Sequence, residues 1–112
     1  MGTTATDISR KAGDTYPIKA TIKDGLTVMD LSGASDIALG IASSKAPAGS
    51  GVTTLTGALE GDGTDGALIF SDVAAAAALD PGTYYAEITF THATYIYTTE
   101  TFKFVLEPQI IA

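Results

Sequence analysis

Apolar and polar residues alternate along most of the chain, with the period of two that is typical of strands half-buried in a sheet. The first clear segment is GDTYPIKATIKDG, residues 13–25. Four of its residues share the apolar face: Tyr16, Ile18, Ala20 and Ile22. Pro17 has no N–H group, which predicts a sheet edge or a break where this strand begins.

In the middle of the chain, the same alternation of apolar and polar residues occurs in shorter segments. SDIALGIAS, residues 35–43, places Ile37, Leu39 and Ile41 on one face, and residues 43–51 have the composition of a loop. Residues 52–59 and 66–72 are two further strand-like runs on either side of the Gly- and Asp-rich EGDGTDG. This spacing predicts that the two runs pair as a hairpin.

Only SDVAAAAALDPG, residues 71–82, is helix-like. Ser71 or Asp72 is the expected N-cap, the alanines favour helix, and Pro81-Gly82 ends it. Leu79 is the expected anchor of this short turn, which suits a crossover between two sheets. Gly82 is expected to have a positive φ angle that turns the chain into the next strand.

The last third of the chain contains the longest strand signals. Residues 84–90 alternate cleanly, with Tyr84, Ala86, Ile88 and Phe90 on one face. THAT, residues 91–94, is a turn into YIYTTETFKFVLEP, whose two halves differ in phase. A β-bulge between Thr98 and Thr101 would reconcile the two halves.

Six or seven short strands separated by turns predict an all-β antiparallel sandwich with one short Ala-rich helical turn. At 112 residues the chain is a single domain, 1–112, with short arms at 1–7 and 108–112. Alternation within the strands predicts a core formed by Ile18, Ile22, Leu31, Ile37, Leu39, Leu79, Tyr84, Ile88, Phe90, Phe102 and Phe104.

The corner AALDPGTYYAEI, residues 77–88, distinguishes between kinds of sandwich. A fibronectin type III corner would use Tyr85 and would bury Glu87 and Thr89, which is the wrong parity. The pattern resembles instead an Ig-like family of tailed-bacteriophage structural proteins, typified by the N-terminal domain of baseplate upper proteins. Three further stretches are similar to that family: GDTYPIKATIKDG to its opening strand, VMDLSGAS (28–35) to its turn into the next strand, and FKFVL (102–106) to its closing strand.

The resemblance spans about Ile8 to Glu107 and implies an Ig-like sandwich of about seven strands. In baseplate upper proteins, receptor-binding or fibre segments follow this domain, whereas this sequence ends at Ala112. The resemblance therefore predicts the adaptor module alone. Its expected partners are other virion proteins of the tail, baseplate or capsid, and its expected location is the virion, after synthesis in the host cytoplasm.

Composition narrows the classes of partner. Charged residues are 17% of the chain, against roughly 25% in typical domains, and the mean hydropathy is +0.25. Both values fit a protein whose apolar surface is covered by other subunits, as a homo-oligomer or in many copies, and they also fit a Thr/Ala-rich β-domain. The net charge of −7 argues against nucleic acid, and no apolar run approaches the length of a membrane span. With no cysteine, disulfides and thiol chemistry are excluded.

Catalytic and metal-binding signals are weak. Glu60, Asp62 and Asp65 in EGDGTDG suggest a calcium loop, but their spacing differs from that of an EF-hand, so a hairpin turn is favoured. His92 is the only histidine and is expected to lie exposed in a turn. No serine lies in a nucleophile motif. The sequence therefore predicts no enzyme, no metal and no cofactor.

The expected function is that of a non-enzymatic virion structural protein, a multi-copy adaptor or decoration protein on the tail, baseplate or capsid. Ile110 and Ile111 follow a proline and belong to no strand, so the C-terminal arm is an expected assembly contact. Tyr85 and Tyr95 are the expected exposed members of two tyrosine pairs; they contact a protein or glycan, or they stabilise a hairpin. The alternative is a carbohydrate- or cell-surface-binding Ig-like module.

Overall fold

The computed structural model describes residues 3–5, 8–11, 13–25, 27–42 and 53–108. Within these ranges the chain forms strands and one short helix. In chain order they are β1 (Thr3–Ala5), β2 (Ile8–Lys11), β3 (Ile18–Asp24), β4 (Thr27–Val28), β5 (Ser35–Ala42), β6 (Thr53–Thr56), β7 (Ala58–Leu59), β8 (Ala67–Phe70), α1 (Ala74–Ala77), β9 (Gly82–His92), β10 (Tyr95–Thr98) and β11 (Phe102–Glu107).

Two sheets form a sandwich around one core. The smaller sheet has the order β1-β3-β8-β7, with β4 also paired to β3, and the larger has the order β2-β11-β9-β5-β6, with β10 also paired to β9. Seven strands result if β1/β2, β6/β7 and β10/β11 are each counted once and the two-residue β4 is left out. The first, second, fourth and fifth then contribute to the smaller sheet and the third, sixth and seventh to the larger, as in an Ig sandwich, although parts of the first and fourth (β2 and β6) also belong to the larger sheet. The predicted all-β sandwich is confirmed.

The first strand is divided between the two sheets. β1 pairs antiparallel with β3, and β2 pairs parallel with β11, so the sandwich is not strictly antiparallel. Residues 3–5, which we expected to belong to an N-terminal arm, form an edge strand of the smaller sheet. The remainder of that arm, residues 1, 2, 6 and 7, lies outside the described residues.

The core follows the predicted alternation. Every residue of the predicted core is buried except Leu79 and Tyr84, which are half-buried and pack against it. Tyr16, which shares the parity of Ile18, is instead exposed because it precedes β3 and lies outside the sandwich. Large buried residues missing from the prediction are Ile41, Leu55, Leu68, Phe70, Val73 and Leu106.

The predicted pairing of residues 52–59 with residues 66–72 is wrong for most of its length. β6 pairs with β5 in the larger sheet, and only the two residues of β7 pair with β8. The chain changes sheets at Gly57, whose N–H donates to the carbonyl of Ile37 at 2.8 Å. A Cβ atom here would lie 2.4 Å from the ring of Phe70, so the crossing requires glycine.

The predicted bulge in the last strand is confirmed. β10 and β11 both pair with β9, and the three residues 99–101 face only the two residues 87 and 88. Thr99 fills the break: its N–H donates to the Ile88 carbonyl at 2.9 Å, and its Oγ1 accepts from the Ile88 N–H at 3.0 Å. The extra residue switches the phase, which directs Tyr97 and Phe102 to the same core.

Helix α1 and the turn that follows it connect β8 of the smaller sheet to β9 of the larger sheet. Val73, not Ser71 or Asp72, occupies the N-cap position of α1, and Asp72 Oδ1 accepts from the Ala74 N–H at 3.4 Å. The Tyr84 hydroxyl donates to the Asp80 carbonyl at 2.8 Å, which is the tyrosine corner of Ig-like sandwiches. Gly82 has a φ of 158°, positive as expected but nearly extended.

Candidate functional site

Three connections meet at one end of the sandwich: β3 to β5, β7 to β8, and β9 to β10. We call this surface the loop end; its described residues are 27–34, 60–66 and 92–96. The first two connections are joined by a hydrogen bond from the Leu31 N–H to the Gly63 carbonyl at 2.8 Å. The third is adjacent because Ser35, where β5 begins, pairs with Thr91 of β9. Binding loops of Ig variable domains occupy this end.

The β9–β10 hairpin presents two large apolar side chains to solvent. Tyr95 is 66% exposed and Ile96 is 77% exposed. Tyr95 pairs with His92 and Ile96 pairs with Thr91, so the two side chains lie on opposite faces of the hairpin. Val28 of β4 is a third exposed apolar residue at this end. Together these side chains leave apolar area exposed on both faces of the hairpin tip, and contact surfaces cover area of this kind.

The turn of this hairpin has an unfavourable backbone. Ala93 and Thr94 have φ angles of 52° and 73°, and they connect paired residues His92 and Tyr95. A two-residue turn with positive φ at both positions is normally Asn-Gly, because side chains other than Asn and Asp pay about 1–2 kcal/mol each in this region. Ala93 and Thr94 therefore adopt a left-handed backbone conformation that alanine and threonine do not favour.

Replacing Ala93-Thr94 with Asn-Gly is expected to raise the free energy of unfolding by about 1–2 kcal/mol, because both new residues tolerate positive φ. Thermal and urea denaturation measure the gain. Thr98→Gly in β10 is the matched control and is expected to destabilise, since glycine weakens a strand interior. A double variant no more stable than the wild type would show that the turn is not left-handed at both positions.

Two carboxylates with local hydrogen bonds lie at the loop end. Asp30 Oδ1 accepts from the Ser32 N–H at 3.0 Å and the Ser32 hydroxyl at 2.8 Å, and Asp62 Oδ1 accepts from Thr64 with the same two distances. These hydrogen bonds lower the pKa of both carboxyl groups, and the charge of His92 lowers that of Asp30 further. Both aspartates are therefore ionised at neutral pH, and the loop end is anionic.

The acidic residues of EGDGTDG form a turn, as predicted. β7 and β8 pair on either side of it, and Asp62 fixes the loop through Thr64. Among the residues that the structure describes, no three or more His, Asp or Glu side chains are placed to hold a metal ion. His92 is half-buried at the end of β9 and not exposed in the turn, because it pairs with Tyr95.

The four predicted contact residues do not form one site. Tyr95 is at the exposed tip, whereas Tyr85 is half-buried on the outer face of the larger sheet, between Ala42 and Lys103. Tyr85 lies seven positions along β9 from His92, the partner of Tyr95, which is about 23 Å along a strand. Ile110 and Ile111 lie outside the described residues. Ile96 was not predicted, although the alternation YIY places it opposite two tyrosines.

Comparisons of the chain with protein-family models, curated proteins and solved structures return no match. In the described part of the chain, the single helix α1 has four residues, and no helix is long and apolar enough to cross a membrane.

Proposed function

We propose that this protein is a non-enzymatic structural protein of a bacteriophage particle, present in many copies, that docks through its loop end. The observation that supports this most is the pair of exposed apolar side chains, Tyr95 and Ile96, on a strained two-residue turn. The resemblance to the Ig-like domain of baseplate upper proteins supports the phage setting. The partner is a tail, baseplate or capsid subunit.

The chemistry of the tip suits a protein partner. Covering Tyr95 and Ile96 contributes roughly 1.5–3 kcal/mol each, and a two-residue turn holds both with little entropy left to lose on binding. The ionised aspartates of the loop end supply polar groups beside this apolar tip, and an apolar centre with a polar rim is the usual anatomy of a specific interface. Cationic groups on the partner would complement this rim.

A second candidate function is a glycan-binding module, because the exposed ring of Tyr95 is an aromatic surface on which a sugar could stack. Glycan binding of this kind would require Tyr95 and would not require Ile96. The two proposals therefore differ in which of the two tip residues matters.

The decisive experiment introduces Tyr95→Ser with Ile96→Ser into the encoding phage and measures copy number on purified virions by gel densitometry. We expect a clear loss of the protein from particles, and we expect Tyr95→Phe with Ile96→Val to restore it. A full copy number for the double serine variant would overturn docking through the loop end. A parallel deletion of residues 108–112 tests the predicted C-terminal arm separately.

The glycan candidate is tested by applying the purified wild type and the single variants to a glycan array. Binding that is lost with Tyr95→Ser and kept with Ile96→Ser would favour the glycan-binding module. No array binding, together with loss from virions, would favour the structural role.

A further inference from the structure

Strand β10 has one side that no described strand covers. It pairs with β9 through residues 95–98, and among the strands that the structure describes no other pairs with it. Its sequence YIYT contains no proline, glycine or charged residue, and aromatic and β-branched residues have high strand propensity. Natural proteins usually protect an edge of this kind with lysine, proline or a covering element.

Hydrogen bonds to β9 show that the odd-numbered residues at the end of β10 face β9. The Tyr97 carbonyl accepts from the Thr89 hydroxyl at 3.1 Å. Two residues later, the Thr99 N–H donates to the Ile88 carbonyl at 2.9 Å. Both partners belong to β9, so residues 97 and 99 direct backbone groups toward that strand.

The even-numbered residues face the other side. The Glu100 N–H donates away from β9, to the Thr3 carbonyl of β1 at 2.8 Å. Because backbone groups alternate between the two sides of an antiparallel strand, those of Ile96 and Thr98 point to the same side as the Glu100 N–H. We call this side of β10, at Ile96 and Thr98, the open edge. Strand β1 begins at Thr3, and no described strand continues it along the open edge.

Acidic side chains lie beside the open edge. Thr3, which is bonded to Glu100, pairs with Asp24, so two exposed carboxylates lie where β1 begins. At the other end of β10, Asp30 interacts electrostatically with His92, which flanks the hairpin turn. A segment that binds along this edge therefore meets negative charge at both of its ends.

This charge decides between the possible occupants of the open edge. Two copies that paired through their β10 strands in antiparallel order would place Asp24 and Glu100 of each copy near the turn and Asp30 of the other. Each copy also has a net charge of −7, so self-pairing opposes like charges. The basic neighbour Lys23 does not offset them, since adjacent residues of β3 point to opposite faces. Charge complementarity favours a cationic segment of another protein.

We propose that the open edge of β10 binds an extended segment of the partner protein as an added strand, and that this segment carries lysine or arginine. The backbones of Ile96 and Thr98 bond to the added strand, and Asp24 and Glu100 face its cationic side chains. Strand addition of this kind derives affinity from main-chain hydrogen bonds. The inference rests on the proposed docking role of the loop end and names how the partner binds there.

The first test titrates the purified wild type with the synthetic peptide KTVTVK, an alternating strand with a lysine at each end. Binding is expected by about 1 mM peptide, the weak limit of specific association. Amide hydrogen exchange at Ile96 and Thr98 should slow when the peptide binds. The control peptide ETVTVE should bind at least about tenfold more weakly. Equal binding of the two peptides, or unchanged exchange at both amides, would overturn the proposal.

The variant Thr98→Pro tests the main-chain contact and leaves the side chains of Tyr95 and Ile96 in place. Proline removes an N–H that points away from β9, so the β9–β10 ladder keeps its bonds and only the added strand loses one. KTVTVK should bind this variant about tenfold more weakly. Thr98→Ser, which keeps the N–H, is the matched control and should bind as the wild type does. Urea denaturation checks that both variants are folded.

Charge reversal tests the acidic contribution separately. Glu100→Lys should weaken the binding of KTVTVK about tenfold. Asp80→Lys is its control, because Asp80 is exposed before β9 at the opposite end of the sandwich, and it should have no effect. A wild type that dimerises in sedimentation equilibrium, and that Thr98→Pro makes monomeric, would show a second copy at the open edge and would overturn the proposal.

Failure here and failure of the proposed function have different signatures. Loss of the double serine variant from virions, with Thr98→Pro at full copy number, keeps loop-end docking and removes strand addition. Peptide binding at the open edge, with the double serine variant at full copy number on virions, keeps the open edge as a binding site and removes the loop end as the attachment site.

Discussion

Replacing Ile88 by alanine is expected to lower the free energy of unfolding by about 2–5 kcal/mol. Ile88 is fully buried in the middle of β9 and pairs with Leu39 of β5. On the other side its backbone holds Thr99 at the bulge. Shortening the side chain removes contacts in the middle of the core and leaves a cavity that strands paired on both sides cannot close.

Urea denaturation of the purified variant measures this loss as a lower midpoint at constant slope. Ile96→Ala is the matched control, since Ile96 is 77% exposed on the neighbouring strand and its truncation should change stability by no more than about 0.5 kcal/mol. An unchanged midpoint for Ile88→Ala would mean that the faces of β9 are assigned the wrong way round. The pair also separates stability from docking, because only Ile96 belongs to the loop end.

Alternation along the chain was sufficient to assign the faces of β9 and β11. Ile88, Phe90, Phe102 and Phe104 all point inward as their parity indicates, and the phase conflict after Tyr97 correctly located the bulge. Side-chain period is a local property, since a one-residue shift reverses every face. The local sequence is therefore enough to predict which residues of a strand face the core.

Pairing partners could not be assigned in the same way. Residues 53–56 look like the first arm of a hairpin, yet they pair with β5, and the chain crosses to the other sheet at Gly57. The division of the first strand between the two sheets is also invisible in its alternation. Both depend on contacts between distant residues, such as Gly57 beside the Phe70 ring, which no local pattern encodes.

Only one of the two exposed residues at the tip of the loop end was predicted from the sequence. Tyr95 was expected to be exposed, whereas Ile96 was not considered, because parity assigns one face to the core and one to solvent. At the tip of the β9–β10 hairpin both faces are open, and both residues are exposed. Whether a strand end extends beyond the opposite sheet depends on the lengths of the strands that pair with it. The sequence of a single strand does not contain this information.

Replacing Gly66 by alanine is expected to cost about 3 kcal/mol of stability, as the sum of a left-handed backbone penalty and overpacking. Gly66 has a φ of 69°, and a Cβ atom there would lie 2.7 Å from the Ile22 carbonyl oxygen and 2.8 Å from that of Met29. Both neighbours are backbone atoms: the Ile22 carbonyl accepts from the Met29 N–H at 3.0 Å, and Ile22 is also bound to Gly66, whose carbonyl accepts from the Ile22 N–H at 2.8 Å. Neither can move without separating the β3–β5 and β7–β8 connections.

Gly61→Ala is the control that isolates this contact. Gly61 has a φ of 67°, almost the same as Gly66, but a Cβ atom there would meet nothing within 4 Å. It should therefore cost only about 1–2 kcal/mol, the backbone penalty alone. Thermal denaturation of both variants measures the difference, and hydrogen exchange at Leu31, whose N–H bonds to Gly63, reports whether the loop end opens. Equal losses for the two variants would mean that the connections at the loop end are not packed through Gly66. A larger loss for Gly66→Ala with faster exchange at Leu31 would show that this glycine holds the β3–β5 and β7–β8 connections of the loop end together.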